Sequence, residues 1–257
     1  MKRLKARQWF LVIAAGLWAG QCLAAEKSAV LDWYQHMQLS TPVSGVVEQV
    51  SVKPGQQVKL KQKLLKLDDR GFRALVKRAE GVLSRATETH IEAKREMDRA
   101  QELFDRTAIS VHERELVKIE YTKAIASLKE AQAELVRAKL DLEYSEISAP
   151  LAGTVLQVYA HQGQTISNRL RVHPLLAMAP TNKMLARTTV SAAELDGLKT
   201  GARVDISVQG QALTGKIYRL GLEPINNEQP ALYVLEVEFD TGGRLYRKGQ
   251  DATITLP

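Results

Sequence analysis

The chain of 257 residues contains a single cysteine, Cys22, and it lies in the N-terminal apolar stretch. One thiol permits no internal disulfide and no cysteine-built metal site. The five histidines are scattered without metal-ligand spacing. Met37, Met97, Met178 and Met184 likewise form no cluster motif, which leaves no support for copper handling. No glycine-rich phosphate loop and no nucleophile–base motif occurs. The chain therefore reads as a non-enzyme, with no cofactor, no metal and no catalytic residue expected. The apolar run Trp9–Ala19 is too short to cross a bilayer comfortably. Hydrophobic content of 45% and charged content of 25% exclude disordered and collagen-like classes.

What is present begins with "MKRLKARQ", which places Lys2, Arg3, Lys5 and Arg7 before that apolar run. "GQCLAA" then follows, ahead of the first acid, Glu26. A basic start, a short apolar centre and a small-residue exit make a secretory signal peptide over residues 1–25. Cleavage after Ala24 is the expectation. An uncleaved anchor and a lipidated Cys22 are the other readings, and Gln21 directly before the cysteine argues against lipidation. Removing this segment takes away four positive and no negative charges, so the formal net charge of +7 becomes +3. Export to a bacterial periplasm suits the cysteine-free remainder.

Residues 72–104 place Phe72, Val76, Ala79, Leu83 and Ala86 in a 4-3 rhythm that continues through His90, Ala93, Met97 and Ala100 to Phe104. Residues 117–142 repeat it from Val117 and Tyr121 through Ala124, Leu128, Ala131, Leu135 and Ala138 to Leu142. A period of 3.5 with a narrow apolar stripe is a coiled-coil seam. Alanine at alternate seam positions lets two helices approach closely. The short break "RTAISVHERE" contains Ser110, a residue suited to capping a helix. The two arms are thus expected to fold back as an antiparallel hairpin over 72–146, about 50 Å long. A parallel homodimeric coiled coil is the weaker alternative. His90, on the seam, reads as packing rather than as a ligand or pH sensor.

On either side of the hairpin stand two related stretches, "VSGVVEQVSVKPGQQV" at 43–58 and "LAGTVLQVYAHQGQTI" at 151–166. The offset of 108 aligns Gly45 with Gly153, Val50 with Val158, Gly55 with Gly163 and Val58 with Ile166. Gly45 and Gly153 are expected in equivalent turns. Val58, Leu60, Gln62 and Leu64 alternate with lysines as in a half-buried strand. Each copy is too small to bury a core alone, so residues 42–71 and 147–179 are expected to pair into one sandwich. Joining them across a flexible insert of 80 residues would cost about 4 kcal/mol of closure entropy, which a preformed hairpin largely removes. Residues 180–257 hold short β-rich runs punctuated by glycine, with a helical turn at "AAELDGL". They are assigned to a small β-barrel, to which residues 26–41 contribute a further strand. The fold class is α+β: a split β-sandwich interrupted by a coiled-coil hairpin, followed by a barrel.

This nested order resembles the membrane fusion proteins, the HlyD-type periplasmic adaptors of tripartite efflux and secretion systems. The residues carrying the resemblance are "PVSGVVEQVSVKPGQQVKLKQKLLKLD", "ISAPLAGTVLQVYAHQGQTI", and the C-terminal "GARVDIS", "LTGKIYRL" and "LYRKGQDATITLP". The resemblance implies that the paired halves are a lipoyl/biotinyl-like domain split at its hairpin tip. It also places Arg99, Leu103 and Ser110, in "RAQELFDRTAIS", at the R-x3-L-x6-S spacing by which such adaptors meet the tip of an outer-membrane exit duct. An exposed arginine, an incidental leucine and a capping serine are the plainer reading of the same three residues. A true lipoyl carrier is not expected, because Lys63 and Lys66 fall in a lysine-rich strand rather than at a tight hairpin tip. The Lys53–Lys66 cluster reads as a solvated strand face in preference to a nucleic-acid or anionic-lipid site. The membrane-proximal fourth domain common in proton-driven relatives is expected to be absent.

The function this implies is a periplasmic adaptor linking an inner-membrane transporter, of RND or ABC type, to an outer-membrane duct as part of a hexameric ring. An accessory or regulatory subunit of an ABC-type exporter without a duct is the alternative. A purely structural coiled-coil envelope protein is a third reading, discriminated by whether the β-halves pair.

Overall fold

The computed structural model describes residues 25–167, 173–225 and 230–256; the leader assigned to residues 1–25 falls, up to residue 24, outside the described residues. The described chain forms β1 (Ala25–Trp33), β2 (Met37–Leu39), β3 (Gly45–Val50), β4 (Gln57–Val58) and β5 (Lys63–Leu67) before its helices. The long helices α1 (Arg70–Asp105) and α2 (Val111–Tyr144) come next. Strands β6 (Glu146–Ser148), β7 (Gly153–Val158), β8 (Thr165–Ile166), β9 (Leu176–Pro180) and β10 (Lys183–Ser191) follow. After the short α3 (Ala192–Leu195), the chain closes with β11 (Arg203–Val208), β12 (Gln211–Pro224), β13 (Leu232–Asp240) and β14 (Asp251–Leu256).

Two compact units result. In the first, residues 25–30, 186–237 and 251–256 supply most of a closed barrel in the order β1-β10-β13-β12-β11-β14. Antiparallel pairing of β1 with β14, Ala25 opposite Leu256 through Val30 opposite Asp251, joins the two ends of the described chain. Ile206, Ile217, Leu235 and Ile254 fill its interior. On the same unit Glu236 is buried and clamped by Arg187 at 2.8 Å and Arg219 at 2.9 Å. Two guanidinium groups satisfy a carboxylate that would otherwise be costly to bury.

The second unit, residues 31–185 and 238–250, contains the hairpin and a sandwich of two four-stranded sheets. The sheets run β2-β9-β7-β4 and β6-β5-β3-β8, so each mixes strands from both copies of the repeat. The copies exchange their short strands. In one sheet β4 pairs with β7, Gln57 opposite Thr154 and Val58 opposite Gly153. In the other, β8 pairs with β3, Thr165 opposite Val46 and Ile166 opposite Gly45. The 108-residue offset converts one pairing into the other. Hydrogen bonds obey it too: Gly55 N–H donates to the Val155 carbonyl at 2.7 Å and Gly163 N–H to the Val47 carbonyl at 2.9 Å. Neither half has a partner for its edge without the other, which is why a split domain must close as one.

Three expectations change. Met37–Leu39 pairs with β9, Met37 opposite Met178, and so belongs to the sandwich and not to the barrel. Gly45 and Gly153 open strands rather than turn; the equivalent turn glycines are Gly55 and Gly163, at φ +82° and +84°. Gly153 is needed for close approach, since a Cβ there would lie 2.3 Å from the Ala179 carbonyl oxygen. The third change is at Lys59–Gln62, which is a turn and not the middle of a strand: Gln62 N–H donates to the Lys59 carbonyl at 3.1 Å, and Leu60 is exposed.

That turn is one of four among the described residues built alike, at Lys53–Gln56, Lys59–Gln62, His161–Gln164 and Arg247–Gln250. In each, the fourth residue is glutamine, and its side-chain carbonyl accepts from the first residue's N–H at 2.9–3.0 Å. The third residue has positive φ: Gly55, Gly163 and Gly249, but Lys61 in the second turn at +61°. A left-handed backbone costs an L-residue roughly 1 kcal/mol that glycine does not incur.

The hairpin follows its seam. Ala79, Ala86 and Ala100 of α1 and Ala124, Ala131 and Ala138 of α2 are buried, and the intervening large seam residues are half-buried. His90 stacks on Tyr121 with ring centroids 5.6 Å apart. At the base, Phe72 packs against the sandwich core, and the Thr41 hydroxyl donates to the Tyr144 carbonyl at 2.6 Å. No helix among the described residues is long and apolar enough to cross a membrane.

Candidate docking site at the hairpin tip

The tip is made by two local devices. At the end of α1, Ala108 N–H donates to the Leu103 carbonyl at 2.8 Å and Thr107 N–H to the Phe104 carbonyl at 2.9 Å. This is the paired closure of a Schellman motif, which demands a left-handed residue and ordinarily takes glycine. Here Thr107 fills the position at φ +59°, a strained place for a β-branched side chain. Ser110 then starts α2 with a full capping box. Its Oγ accepts from Glu113 N–H at 3.2 Å, and the Glu113 carboxylate accepts from Ser110 N–H at 2.8 Å and from its hydroxyl at 2.9 Å. These bonds hold the Glu113 carboxyl below its ordinary pKa. A third contact crosses between the helices: the Arg114 guanidinium lies 4.2 Å from the Phe104 ring centroid.

Arg99 and Leu103, one turn apart on α1, both project off the seam. Arg99 is exposed and paired with Glu96 at 3.2 Å, a surface contact that yields easily to a partner. Leu103 is 37% exposed. Ser110 is brought to the same tip, but its hydroxyl already serves the fold as a cap. Sequence reasoning missed three further exposed apolar residues beside them: Val111, Leu116 and Ile119, each about half exposed. Their signal was available as apolar residues out of register with the α2 seam.

Elsewhere the lysines weighed as carrier candidates are held in ion pairs on β5. Lys63 meets Glu146 at 2.7 Å; Lys66 meets Glu48 at 2.6 Å and Asp69 at 3.3 Å. The Glu48 bond raises the Lys66 pKa. No group of three or more His, Cys, Asp or Glu side chains suited to a metal ion occurs among the described residues.

A β-sandwich split by an antiparallel helical hairpin and joined to a barrel defines a class. The profile of the barrel-sandwich hybrid domain of RND membrane fusion proteins matches residues 35–173. That is more than half of the chain, and the chain belongs to the membrane fusion protein family. Among similar proteins, the macrolide export protein MacA of Escherichia coli O157:H7 is 30% identical over 198 residues, covering 72% of this chain and 53% of MacA. The probable efflux pump periplasmic linker protein SepA of Pseudomonas putida is 27% identical over 135 residues, 52% of this chain and 32% of SepA. The chain thus spans about half or less of these relatives. The membrane fusion protein Spr0693 of Streptococcus pneumoniae R6 has the same fold, with a TM-score of 0.71 at 17% identity over 91% of this chain and 99% of that one.

Proposed function

We propose that this chain is a periplasmic adaptor that couples an inner-membrane transporter to an outer-membrane exit duct for efflux or secretion. The observation that carries it is a hairpin whose seam is satisfied internally while its tip presents Arg99 and Leu103 to solvent. A helix pair of about 36 residues an arm reaches about 54 Å from its base, a spacer rather than a compact domain. MacA is named an export protein and SepA a periplasmic linker, and the leader-like N-terminus agrees with a periplasmic site at the inner membrane. In this reading Arg99 donates hydrogen bonds to carbonyls or carboxylates of the duct, and Leu103 packs one turn away. Ser110 faces the same partner while capping the return helix. The protomers form a ring, typically of six, with hairpins side by side, and the work is mechanical.

One observation favours the second reading, an accessory or regulatory subunit of an ABC-type exporter without a duct. Ser110 is fully used as a cap, so one member of the triplet is explained by the fold alone. Arg99→Asp separates the two. Reversing a charge-assisted contact is expected to cost about 2 kcal/mol or more of docking, which should appear as lost export and lost duct crosslinking. Arg137→Asp, exposed on α2, is the control. Equal export by both variants with unchanged helicity would reject the docking role of the tip.

A further inference from the structure

The hairpin joins the sandwich through two short links, Asp68–Asp69 between β5 and α1 and Ser145 between α2 and β6. A cleft of about 600 Å³ opens beside them. The sandwich contributes Lys61, Lys66 and Glu146 to its lining, and the base of the hairpin contributes Asp69, Arg73 and Glu143. Most of these charges are satisfied: Lys66 meets Glu48 and Asp69, Arg73 meets Asp69, and Glu146 meets Lys63. Lys61 and Glu143 form no ion pair among the described residues. Both also sit where local structure disfavours them. Lys61 holds a left-handed backbone, at φ +61°, that glycine holds in the three sister turns, and strain of this kind collects at functional sites. Glu143 lies in the last turn of α2, which also holds Asp141 and no basic residue. Carboxylates there meet the negative end of the helix dipole, where a cation belongs.

We propose that Lys61 and Glu143 are the two halves of a latch, which meet when the hairpin leans on its links and narrows this cleft. The lysine then satisfies the carboxylate and the helix end together. The turn that carries Lys61 is the fixed side. Lys61 N–H donates to the Ala149 carbonyl at 2.8 Å, and Ala149 N–H donates to the Gln62 carbonyl at 2.9 Å. Movement therefore comes from the hairpin, about element-terminal residues of the kind that serve as hinges. Arg73 does not substitute for Lys61, because Asp69 holds it at 2.7 Å and it moves with α1. An arm about 54 Å long turns a small shift at its base into a several-fold larger displacement of the tip. On the adaptor reading the latch sets where the tip meets its duct, but the latch itself does not depend on that reading. An exposed ion pair changes an equilibrium only about two- to five-fold. The latch thus biases two orientations rather than fixing one.

The test reads the hairpin angle by electron–electron double resonance on the purified chain carrying Cys22→Ser. Nitroxides are placed at Lys59→Cys, on the same turn as Lys61, and at Gln132→Cys on α2, both exposed positions. The expected distance distribution has two components, the shorter arising from the closed orientation. Glu143→Gln and Lys61→Gln should each lower the ratio of short to long about two- to five-fold. Salt at about 1 M should do the same to the parent, since it screens exposed pairs. Lys61→Glu should lower the ratio as well, and adding Glu143→Lys to it should restore the parent value. Relief of backbone strain or a change in helix stability cannot give that rescue. A single distance unmoved by these substitutions and by salt overturns the inference. So does a shorter component that survives both neutral variants, or one that the charge swap fails to restore. None of these outcomes bears on tip docking, which Arg99→Asp tests separately.

Discussion

In the hairpin the fully buried side chains are alanines, such as Ala86 and Ala131, with leucines and Met97 between them only half covered. In the sandwich they are Leu64, Leu65, Leu67, Val155, Leu176 and Met178, all at 0–1% exposure. The difference follows from geometry. Two helices cover one stripe of each other, and alanine lets them close up but contributes little apolar area. Two facing sheets enclose side chains from both sides. The hairpin is thus long, thinly buried and dependent on its base, and the sandwich is the part that resists opening.

The largest effects should sharpen that contrast. Leu67→Ala removes a fully buried side chain and is expected to cost about 3 kcal/mol. Leu128→Ala, half-buried in the seam, should cost about 1 kcal/mol because solvent already reaches the site. Native-state hydrogen exchange reads each region separately. Protection of sandwich amides should fall roughly a hundred-fold in the first variant, and that of hairpin amides roughly five-fold in the second. Equal losses in both regions would mean that hairpin and sandwich open as one unit.

A smaller effect tests the symmetry of the two copies. Sequence alignment makes Gly45 and Gly153 equivalents, and the strand exchange keeps them so. Packing does not. The nearest atom to a Cβ at Gly45 is Leu67 Cδ1 at 3.4 Å, an ordinary contact, whereas at Gly153 a backbone oxygen lies at 2.3 Å. Gly153→Ala should therefore cost about 2 kcal/mol or more, since the β7–β9 pair must shift. Gly45→Ala should stay within about 0.5 kcal/mol. Chemical denaturation followed by hydrogen exchange of sandwich amides compares them, and similar losses would refute the asymmetry.

How much of this was legible beforehand depends on the range of the interactions. Every seam residue read from the 3.5 rhythm, from Phe72 to Leu142, is buried or half-buried, because a coiled-coil seam is written in spacings of three and four. The repeat likewise disclosed the partnership of the halves, but not the strand exchange, which is a pairing across about a hundred residues. The alternation of "VKLKQKLL" runs through Lys59–Gln62, yet those four residues fold as a turn between β4 and β5, since Gln62 can bond back to Lys59 and alternation does not register such bonds. Met37–Leu39 could not be divided from Ala25–Trp33 by composition; only its pairing with β9 assigns it. At the tip, the resemblance, through its R-x3-L-x6-S spacing, pointed to Arg99, Leu103 and Ser110. It could not reveal that the serine was occupied by its cap, nor that Thr107 was strained.

The smallest expected effect has the opposite sign. Lys61 and Thr107 both occupy left-handed backbone, at φ +61° and +59°, a region that glycine fills at the three sister turns of Lys61 and ordinarily takes at a Schellman closure. Lys61→Gly keeps the Lys59–Gln62 hydrogen bonds, because neither uses the residue 61 side chain. It relieves the steric cost of a Cβ at positive φ, which favours the folded state, and frees the unfolded chain, which opposes it. The first exceeds the second by roughly 0.5 kcal/mol for an unbranched residue. For Thr107→Gly the gain should be nearer 1 kcal/mol, because branching at Cβ makes the left-handed region costlier still. Thermal melts should show both variants more stable than the parent, and Thr107→Gly more than Lys61→Gly. Exchange should place the second gain in the hairpin and the first in the sandwich. If Thr107→Gly instead lowers stability, its side chain contributes a contact at the tip worth more than the strain it causes, and the Schellman closure is not the source of cost there.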